Sequence, residues 1–378
     1  MKTVIFCNLI PNKLGAYEAL LAALGEEFQR EGDELVVVFA RDPIDEVASE
    51  LKRRDVRWRT IEAWSEGEGR EHPWAFCAPA LQILKEERPE VAAVHFGNEL
   101  PSAAVALRNR IAGRGVRWVW EQDQQICDPA GPSRYLSRLK ILDCVFDHFI
   151  AVYKGGRASL LRRGIPDSKV SVVYNAIRDH QSERETGWLC DDLNIPRDTM
   201  LIANVGWHVP RKRIDFALRA FSRLQAPDAV RCALVQIGEG PESETLHARC
   251  AELDIADRVH FLGLRNDVRE ILPECDLFVH ASLAETCTYV ISEAMCAGIP
   301  SVVTEAGAAR EQIMDGETGY VTSVDDEDRF VKCLSELVAD AGKRRQMGLR
   351  ARERWEDRYR VEVSARKYYE VYARLAGR

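Results

Sequence analysis

A chain of 378 residues is long enough for two or three domains, each with a hydrophobic core of its own. Its 46% hydrophobic and 30% charged residues are typical of a globular protein and exclude a disordered chain. The formal net charge of −8 argues against a dedicated nucleic-acid binder, which normally carries a basic face.

The amino-terminal half alternates short β-branched or aromatic runs with amphipathic stretches, a pattern that predicts a parallel sheet covered by helices. The apolar run that stops at Pro11 is interpreted as the first strand and not as a signal peptide. Seven strands are expected, at residues 4–7, 35–39, 56–61, 91–96, 116–120, 148–152 and 170–174.

The polar run at residues 178–187 is the best linker candidate. Charged helices without a following strand are expected over residues 325–378. We therefore predict an α/β protein with a first Rossmann-like domain at residues 1–178, a second at 179–360, and a final helix at 361–378 that packs back toward the first domain. Six further strands are expected, at residues 201–205, 232–237, 259–262, 277–280, 301–303 and 320–322.

The eleven cysteines are odd in number, scattered and never spaced as CxxC pairs. They predict neither a disulfide framework nor a zinc site, and they favour a reducing compartment such as the cytoplasm. No apolar run reaches about 18 residues, so no membrane-spanning helix is predicted. The acidic run at residues 325–328 is interpreted as helix capping and not as a cation site.

Residues 277–300 have the pattern of a strand, a loop and a helix that ends by Gly298. This order places the loop at the carboxyl edge of a parallel sheet. Ligands of open α/β sheets bind at that edge, and the N–H groups of a helix start favour an anion such as a diphosphate. Glu285 and Glu293 flank the loop, and a carboxylate aimed at a vicinal diol accepts charge-assisted hydrogen bonds. Taken singly, each could instead be a solvated or helix-capping charge.

Residues 202–213 again join a strand to a helix through a loop, and Arg211 and Lys212 follow the turn. A lysine at this edge can neutralise a departing diphosphate without a metal ion, so we predict phosphate binding by Lys212 ahead of Arg211. A solvated basic helix start is the alternative. Residues 238–241, of sequence GEGP, lack the third glycine of a dinucleotide loop and are interpreted as a plain turn.

With these motifs in view, the chain resembles the retaining GT-B glycosyltransferases of family four, also called glycosyl transferases group 1. Glu285 and Glu293 reproduce the family's E-x7-E motif, and residues 293–300 resemble the helix that follows it. The fold of that family has two Rossmann-like β/α/β domains facing each other across a cleft, the first for the acceptor and the second for the nucleotide sugar.

The resemblance implies roles for individual residues. Glu293 would hold the ribose hydroxyls, Glu285 the donor sugar and Lys212 a phosphate. Leu264 and Arg265 would lie near the base, and the backbone of Cys287, Thr288 and Tyr289 would contact the diphosphate or the sugar. Gly206 is a further implied donor contact, and Gly15 lies in the loop near the acceptor.

Three positions depart from the family pattern. Trp207 stands where an arginine usually pairs with the lysine, so Arg211 is the candidate that supplies the missing charge. Only Gly15 remains of two glycines in the amino-terminal loop near the acceptor. The histidine that the family often places after the fifth strand is absent, which leaves Glu121 or Asp123 as candidates for its role.

The resemblance implies a metal-independent, retaining hexosyltransferase that moves a sugar from a UDP- or GDP-linked donor to an acceptor hydroxyl in bacterial glycan or glycoconjugate synthesis. No cofactor is expected, since the nucleotide sugar is a substrate. A nucleotide-sugar 2-epimerase and a non-catalytic sugar-nucleotide-binding scaffold stay open as alternatives. No motif identifies the acceptor, which could be a glycan, a lipid-linked molecule or a small molecule. The basic residues within 157–163 are compatible with peripheral contact with the inner face of a membrane.

Overall fold

The computed structural model describes residues 1–62, 73–96, 99–122, 142–182 and 184–378. This part of the chain divides into two compact units. Unit 1 comprises Met1–Arg178 together with Val361–Arg378, and unit 2 comprises Asp179–Arg360.

Each unit contains one sheet, and every strand pair in the described residues is parallel. All thirteen strands overlap the strands expected from the sequence, so those predictions are confirmed. Their bounds are β1 Lys2–Cys7, β2 Glu34–Phe39, β3 Arg57–Thr60, β4 Val91–His95, β5 Arg117–Gln122, β6 His148–Ala151, β7 Val170–Val172, β8 Met200–Val205, β9 Cys232–Ile237, β10 Val259–Phe261, β11 Leu277–His280, β12 Ser301–Thr304 and β13 Gly319–Thr322.

Helices connect the strands of both units. One of them begins at the acidic cap expected within residues 325–328, since Asp326 accepts a hydrogen bond from the Arg329 N–H, and another begins at a cap that was not predicted, Asp340, which accepts from the Lys343 N–H. The helix bounds are α1 Ala16–Arg30, α2 Asp45–Arg53, α3 Cys77–Glu87, α4 Glu99–Ile111, α5 Lys154–Arg162, α6 Trp188–Asp192, α7 Ile214–Ser222, α8 Ser243–Glu252, α9 Val268–Ile271, α10 Tyr289–Cys296, α11 Ala309–Gln312, α12 Glu327–Ala339, α13 Ala341–Arg358 and α14 Val361–Leu375.

The sheet of unit 1 has the strand order β3-β2-β1-β4-β5-β6-β7. Its two faces are both covered, because alternate side chains of a strand point to opposite sides. Val4 and Phe6 of β1 enter one hydrophobic core, whereas Ile5 and Cys7 enter the other. This double burial explains why the strands read as continuous apolar runs in the sequence.

The sheet of unit 2 has the strand order β10-β9-β8-β11-β12-β13. The chain moves outward from β8 to β10 and then returns to β11 on the other side of β8. Such a reversal leaves a crevice at the carboxyl ends of the two central strands, where α/β proteins bind ligands. The predicted α/β class with two Rossmann-like units is confirmed.

The last helix, α14, belongs to unit 1 although unit 2 precedes it in the chain. It packs against α1, and its apolar side chains join the core that contains Ile5. The Val361 N–H donates to the Ile177 carbonyl at 3.0 Å, so the chain re-enters unit 1 beside the point where it leaves it.

Within the described ranges, no helix is long and apolar enough to cross a membrane. The ten cysteines in these ranges are free thiols, and most of them are buried. Burial raises the pKa of the Cys250 thiol to about 11, which keeps that thiol protonated and unreactive.

Candidate functional site

Strands β8 and β11 are neighbours at the centre of the unit 2 sheet, and the loops that follow them carry the candidate residues. After β8 the chain makes a 3-10 turn at Pro210–Lys212 and enters α7. After β11 a loop leads to α10. The two loops are joined, because the Leu283 N–H donates to the Arg211 carbonyl at 2.9 Å.

Lys212, Arg211 and Glu285 meet at this edge of the sheet. The Lys212 Nζ atom lies 2.6 Å from Oε1 of Glu285, and the Arg211 guanidinium lies 3.5 Å from Oε2. The Lys212 side chain is 15% exposed and that of Arg211 is 52% exposed, so Lys212 is the inner of the two cations. Two cations thus converge on one largely buried carboxylate.

His280 completes this group, although no motif in the sequence indicated it. It is the last residue of β11, it is buried, and its Nε2 atom lies 3.2 Å from Oε1 of Glu285. Burial, helped by the positive charges of Lys212 and Arg211, lowers the pKa of His280. The imidazole is therefore neutral near pH 7 and donates its Nε2–H to the carboxylate.

Glu285 is held in its ionised form by these neighbours. Burial alone would raise the pKa of its carboxyl group, but the hydrogen bond from His280 and the hydrogen bond and positive charge of Lys212 outweigh burial and lower the pKa to about 2. The carboxylate is consequently ionised and oriented throughout the physiological pH range.

Glu293 lies one turn into α10 and has a different cationic neighbour, since Nε of Arg269 is 3.6 Å from its Oε1. The start of α10 is fixed by Gln312 of α11, another residue that the motifs did not indicate. Its Nε2 donates to the Thr288 carbonyl at 2.9 Å, and its Oε1 accepts from the Thr288 N–H at 3.3 Å. The Thr288 N–H is therefore occupied, while Cys287 is buried and Tyr289 half-buried.

A cavity of about 620 Å³ opens at the carboxyl ends of β8, β9 and β10. Three loops whose backbones run side by side form its walls. The Gly206 N–H donates to the Ile237 carbonyl and the Gly238 N–H donates to the Gly263 carbonyl, both at 2.9 Å. A Cβ atom on Gly238 would lie 2.1 Å from the Gly206 carbonyl oxygen, so only glycine permits this approach. The interpretation of residues 238–241 as a plain turn is corrected accordingly: three of the four line this cavity.

Aromatic and apolar side chains dominate the cavity. Trp207 and Leu264 lie at its rim, both about two-thirds exposed at 67% and 68%, and the rings of Phe261 and His247 pack with their centroids 4.0 Å apart. Arg265 is not among the residues that line the cavity. Its guanidinium is turned to Asp267, with Nη2 2.6 Å from the carboxylate.

His208 is fixed beneath this rim by a hydrogen-bond chain. Its Nδ1 lies 2.8 Å from Ser243 Oγ, which donates to the Gly240 carbonyl at 2.8 Å, and its Nε2 lies 3.3 Å from Gln236 Nε2. These partners require Nδ1 to carry the proton and Nε2 to accept. Burial lowers the pKa of His208, so the ring is neutral and the cavity floor gains no positive charge from it.

The unit 1 candidates have separate surroundings. Gly15 precedes α1, and its N–H donates to Glu18 at 3.1 Å. Glu121 is buried, accepts a hydrogen bond from Tyr368 at 2.7 Å and pairs with His95, so it is committed to the interior and does not replace the family's histidine. Asp123 lies outside the described residues.

Metal-binding geometry is missing from the described parts of both units: no group of three or more histidine, cysteine, aspartate or glutamate side chains there could hold an ion.

Two family models match the chain. The model described as Glycosyltransferase Family 4 matches residues 18–181, and the model described as Glycosyl transferases group 1 matches residues 189–354. Together they account for well over half of the sequence. The chain belongs to the family-four glycosyltransferases.

Curated proteins that are similar to this chain differ in their activities. The chain is 30% identical to the N-acetyl-alpha-D-glucosaminyl L-malate synthase of Bacillus anthracis, over 55% of this chain and 54% of that protein. It is 28% identical to the lipopolysaccharide core biosynthesis glycosyltransferase LpsE of Rhizobium meliloti, over 48% of this chain and 52% of the relative. The chain thus spans about half the length of the curated relatives it matches.

Solved structures of glycosyltransferases share the fold. HepE of Anabaena, crystallised in complex with UDP, superposes with a TM-score of 0.80 at 18% identity, covering 99% of this chain and 100% of HepE. WaaG, a glycosyltransferase involved in lipopolysaccharide biosynthesis, superposes with a TM-score of 0.70 at 15% identity, covering all of both chains. The predicted GT-B fold of family four is confirmed.

Proposed function

We propose that this family-four glycosyltransferase transfers a sugar from a nucleotide diphosphate sugar, UDP- or GDP-linked, to an acceptor hydroxyl with retention of the anomeric configuration and without a metal ion. Bacterial glycan or glycoconjugate synthesis is the proposed setting, in keeping with the lipopolysaccharide biosynthesis in which LpsE and WaaG take part.

The observation that carries the proposal is the position of the Lys212–Glu285 pair at the strand reversal, where Lys212 shares the loop after β8 with Trp207 and His208 of the 620 Å³ cavity. A nucleoside diphosphate sugar has a flat base, an anionic centre and a hydroxyl-rich sugar. The cavity offers the apolar wall for a base, with Leu264 and Trp207 at its rim, while Lys212 offers positive charge and Glu285 accepts hydrogen bonds from hydroxyls.

The ion pair has a defined task in this scheme. Without a donor, Lys212 and Glu285 neutralise each other, so neither is a buried unpaired charge. A bound diphosphate takes the lysine and Arg211 as partners, and Glu285, still held by His280, accepts hydrogen bonds from the donor sugar. The pair is thereby exchanged for two charge-assisted contacts to the ligand.

In the reaction, the bond between the anomeric carbon and the diphosphate oxygen breaks, and its electrons leave with the nucleoside diphosphate. The acceptor oxygen bonds to the same face of the anomeric carbon, and its proton passes to the departing diphosphate oxygen. Lys212 and Arg211 stabilise the charge that develops on the leaving diphosphate, which is the work a metal ion performs in other enzymes.

The test is the release of nucleoside diphosphate from a panel of UDP- and GDP-sugars, each assayed with and without glycan, lipid-linked and small hydroxyl acceptors, in excess chelator. We expect acceptor-dependent release in chelator and a product with the donor's anomeric configuration by proton NMR. An inverted product would contradict retention, and activity that returns only with magnesium or manganese would contradict the metal-free scheme. A change of donor stereochemistry without acceptor would revive the epimerase alternative.

The ribose assignment has its own test. Replacing Glu293 by glutamine keeps the shape and removes the charge that would accept from the two ribose hydroxyls, so we expect weaker binding of nucleoside diphosphate by roughly tenfold. Calorimetric titration with UDP and with 2′-deoxy-UDP checks this. If Glu293 holds the ribose, the wild type discriminates between these ligands and the Glu293→Gln variant does not. Equal discrimination in both proteins would remove Glu293 from the donor site.

A further inference from the structure

The segment that joins β12 to α11, residues 305–308, lies directly against the loop that carries Glu285. The Ala308 N–H donates to the Thr286 carbonyl at 2.7 Å. Gly307 permits this approach, because it has a φ of +56° and a Cβ atom there would lie 2.3 Å from the carbonyl oxygens of both Glu285 and Thr286. The backbone of this segment therefore supports the candidate donor loop.

Gln312, the last residue of α11, extends this support to the first turn of α10. Its side chain is fully buried, at 0% exposed, and its amide bonds to two residues of that turn. The Nε2 atom donates to the Thr288 carbonyl at 2.9 Å and to the Ser292 hydroxyl at 3.0 Å, while Oε1 accepts from the Thr288 N–H at 3.3 Å. Both the donor and the acceptor end of this amide are thus committed to α10.

Arg354 of α13 fixes the backbone of Gln312 in turn. Its Nε donates to the Gln312 carbonyl at 2.8 Å, and its Nη2 donates to the Glu311 carbonyl at 2.6 Å. The Tyr359 hydroxyl donates to the same Glu311 carbonyl at 2.7 Å. Although α11 has only four residues, its last turn is anchored, so the Gln312 amide acts from a fixed position.

The first turn of α10 lacks the usual side-chain cap. Thr288 is the N-cap residue, and a threonine there commonly accepts a hydrogen bond from the second or third N–H of the helix. Its side chain makes no such bond, and its Oγ1 atom is buried without a partner in the described part of the chain. The Thr288 hydroxyl therefore leaves the N–H groups of Val290 and Ile291 uncapped, at the end of a helix that favours an anion.

We propose that Gln312 is a positioning residue for the donor diphosphate. It holds the start of α10 in place of a threonine cap, so that the turn is fixed while the N–H groups of Val290 and Ile291 stay available to phosphate oxygens. Gln312 itself contacts no substrate in this scheme. The inference rests on the proposed function, because it takes the diphosphate to lie between Lys212 and the start of α10.

Removing the Gln312 amide should change phosphate binding and leave base binding alone. In Gln312→Met an unbranched side chain of similar length fills the space, but the N–H and the carbonyl of Thr288 lose their partner. The first turn then shifts, and its N–H groups no longer meet the phosphate oxygens in good geometry. We expect the affinity for nucleoside diphosphate to fall roughly tenfold while the affinity for the nucleoside stays unchanged.

The experiment compares UDP with uridine, and GDP with guanosine, by calorimetric titration of wild type, Gln312→Met and a matched control. The control is Thr318→Val, which removes the hydrogen bond from the Met314 N–H to the buried Thr318 hydroxyl in the same unit. It should lower the melting temperature and leave the ratio of diphosphate to nucleoside affinity as in the wild type. An equal fall of that ratio in Thr318→Val would overturn the inference, because it would reduce Gln312 to a stabilising residue.

Arg354→Gln provides a second variant that keeps the Gln312 amide and removes its anchor. We expect the ratio of diphosphate to nucleoside affinity to fall in the same direction as in Gln312→Met, by a smaller factor. If Gln312→Met does not fold, Arg354→Gln decides the matter alone.

The outcomes separate this inference from the proposed function. An unchanged ratio in the variants that fold would overturn the role of Gln312, while a loss of diphosphate affinity in Lys212→Ala would leave the proposed function standing. A wild type that binds no nucleoside diphosphate would overturn both.

Discussion

At the scale of single residues, the proposed chemistry depends most on Lys212. Replacing it by alanine should lower turnover about a hundredfold, a loss of about 3 kcal/mol, because the contact strengthens as charge develops on the leaving diphosphate. Donor binding should weaken less. Arg211→Ala should lower turnover less than Lys212→Ala does, since Arg211 is 52% exposed and lies farther from Glu285.

Steady-state kinetics of both single variants and the double variant measure these losses, with non-additivity indicating a shared phosphate. Lys332→Ala, which removes an exposed lysine of α12, is the control for a general effect of lost charge. Wild-type turnover in Lys212→Ala would remove this residue from the mechanism.

His280 should act through Glu285 and not through the substrate. In His280→Phe the carboxylate loses a donor while burial remains, so the pKa of Glu285 should rise from about 2. Because the ionised carboxylate is the active form, the acid limb of kcat/KM should then move to higher pH. His280→Gln restores an N–H donor and should restore the wild-type profile.

The measurement is the pH profile of kcat/KM between acid and neutral pH for the three proteins. Superimposable profiles for the wild type and His280→Phe would show that His280 serves only to fill space beneath the loop.

The candidate site could be predicted from the sequence only where its residues stand in one local pattern. Glu285 and Glu293 stand at the spacing of the E-x7-E motif, and Lys212 follows a predicted strand. All three could therefore be identified from local sequence patterns. His280 and Gln312 look like ordinary strand and helix residues, and their partners become visible only once β11 and α11 are folded. Most strands were predictable because they are apolar runs buried on both faces, whereas edge strands such as β3, of sequence RWRT, are only partly buried.

At the scale of elements, α14 is held to unit 1 by buried polar contacts as well as by apolar packing. Tyr368 donates to Glu121 at 2.7 Å, and the Tyr372 hydroxyl lies 3.0 Å from His95 Nε2. These four side chains are all buried, so water cannot replace a lost partner. The helix is therefore part of the unit 1 interior and not an appendage.

Tyr368→Phe should lower the free energy of unfolding by about 2 kcal/mol, because it removes a hydrogen bond to a buried carboxylate. Tyr369→Phe is the matched control on the same helix. Its hydroxyl donates to Asp33, which keeps Arg378 at 2.6 Å as a second partner, so the loss should be smaller. Denaturant titration of both variants checks the order. Equal losses would mean that Glu121 is satisfied without Tyr368.

At the scale of the whole molecule, stability should fall on the acid side partly because of His148. This side chain is buried beside Ser171, and burial, with the charge of Arg374, lowers its pKa to about 4. The unfolded chain binds a proton near the ordinary histidine pKa of about 6.5, whereas the folded chain does not. The free energy of unfolding therefore falls as the pH drops from about 6.5 to about 4.

In His148→Gln, which cannot take up that proton, the free energy of unfolding should decrease by roughly 2 kcal/mol less over this pH range, after allowance for solvent screening. Urea titrations at a series of pH values measure the difference between variant and wild type. His247→Gln, which removes an exposed histidine, should leave the wild-type slope in place. A His148→Gln slope equal to that of the wild type would show that His148 is protonated in the folded state.

The return of α14 to unit 1 also determines the order in which the ribosome can finish the two units. Unit 2 is an insertion between Arg178 and Val361, so its whole length emerges before the last piece of unit 1 does. At usual translation speeds this delay is roughly 10 to 40 s, during which the apolar face of α1 that receives α14 stays uncovered. The second unit can therefore complete its fold before the first, and a premature stop shortly after Arg360 would damage the unit that was synthesised earliest.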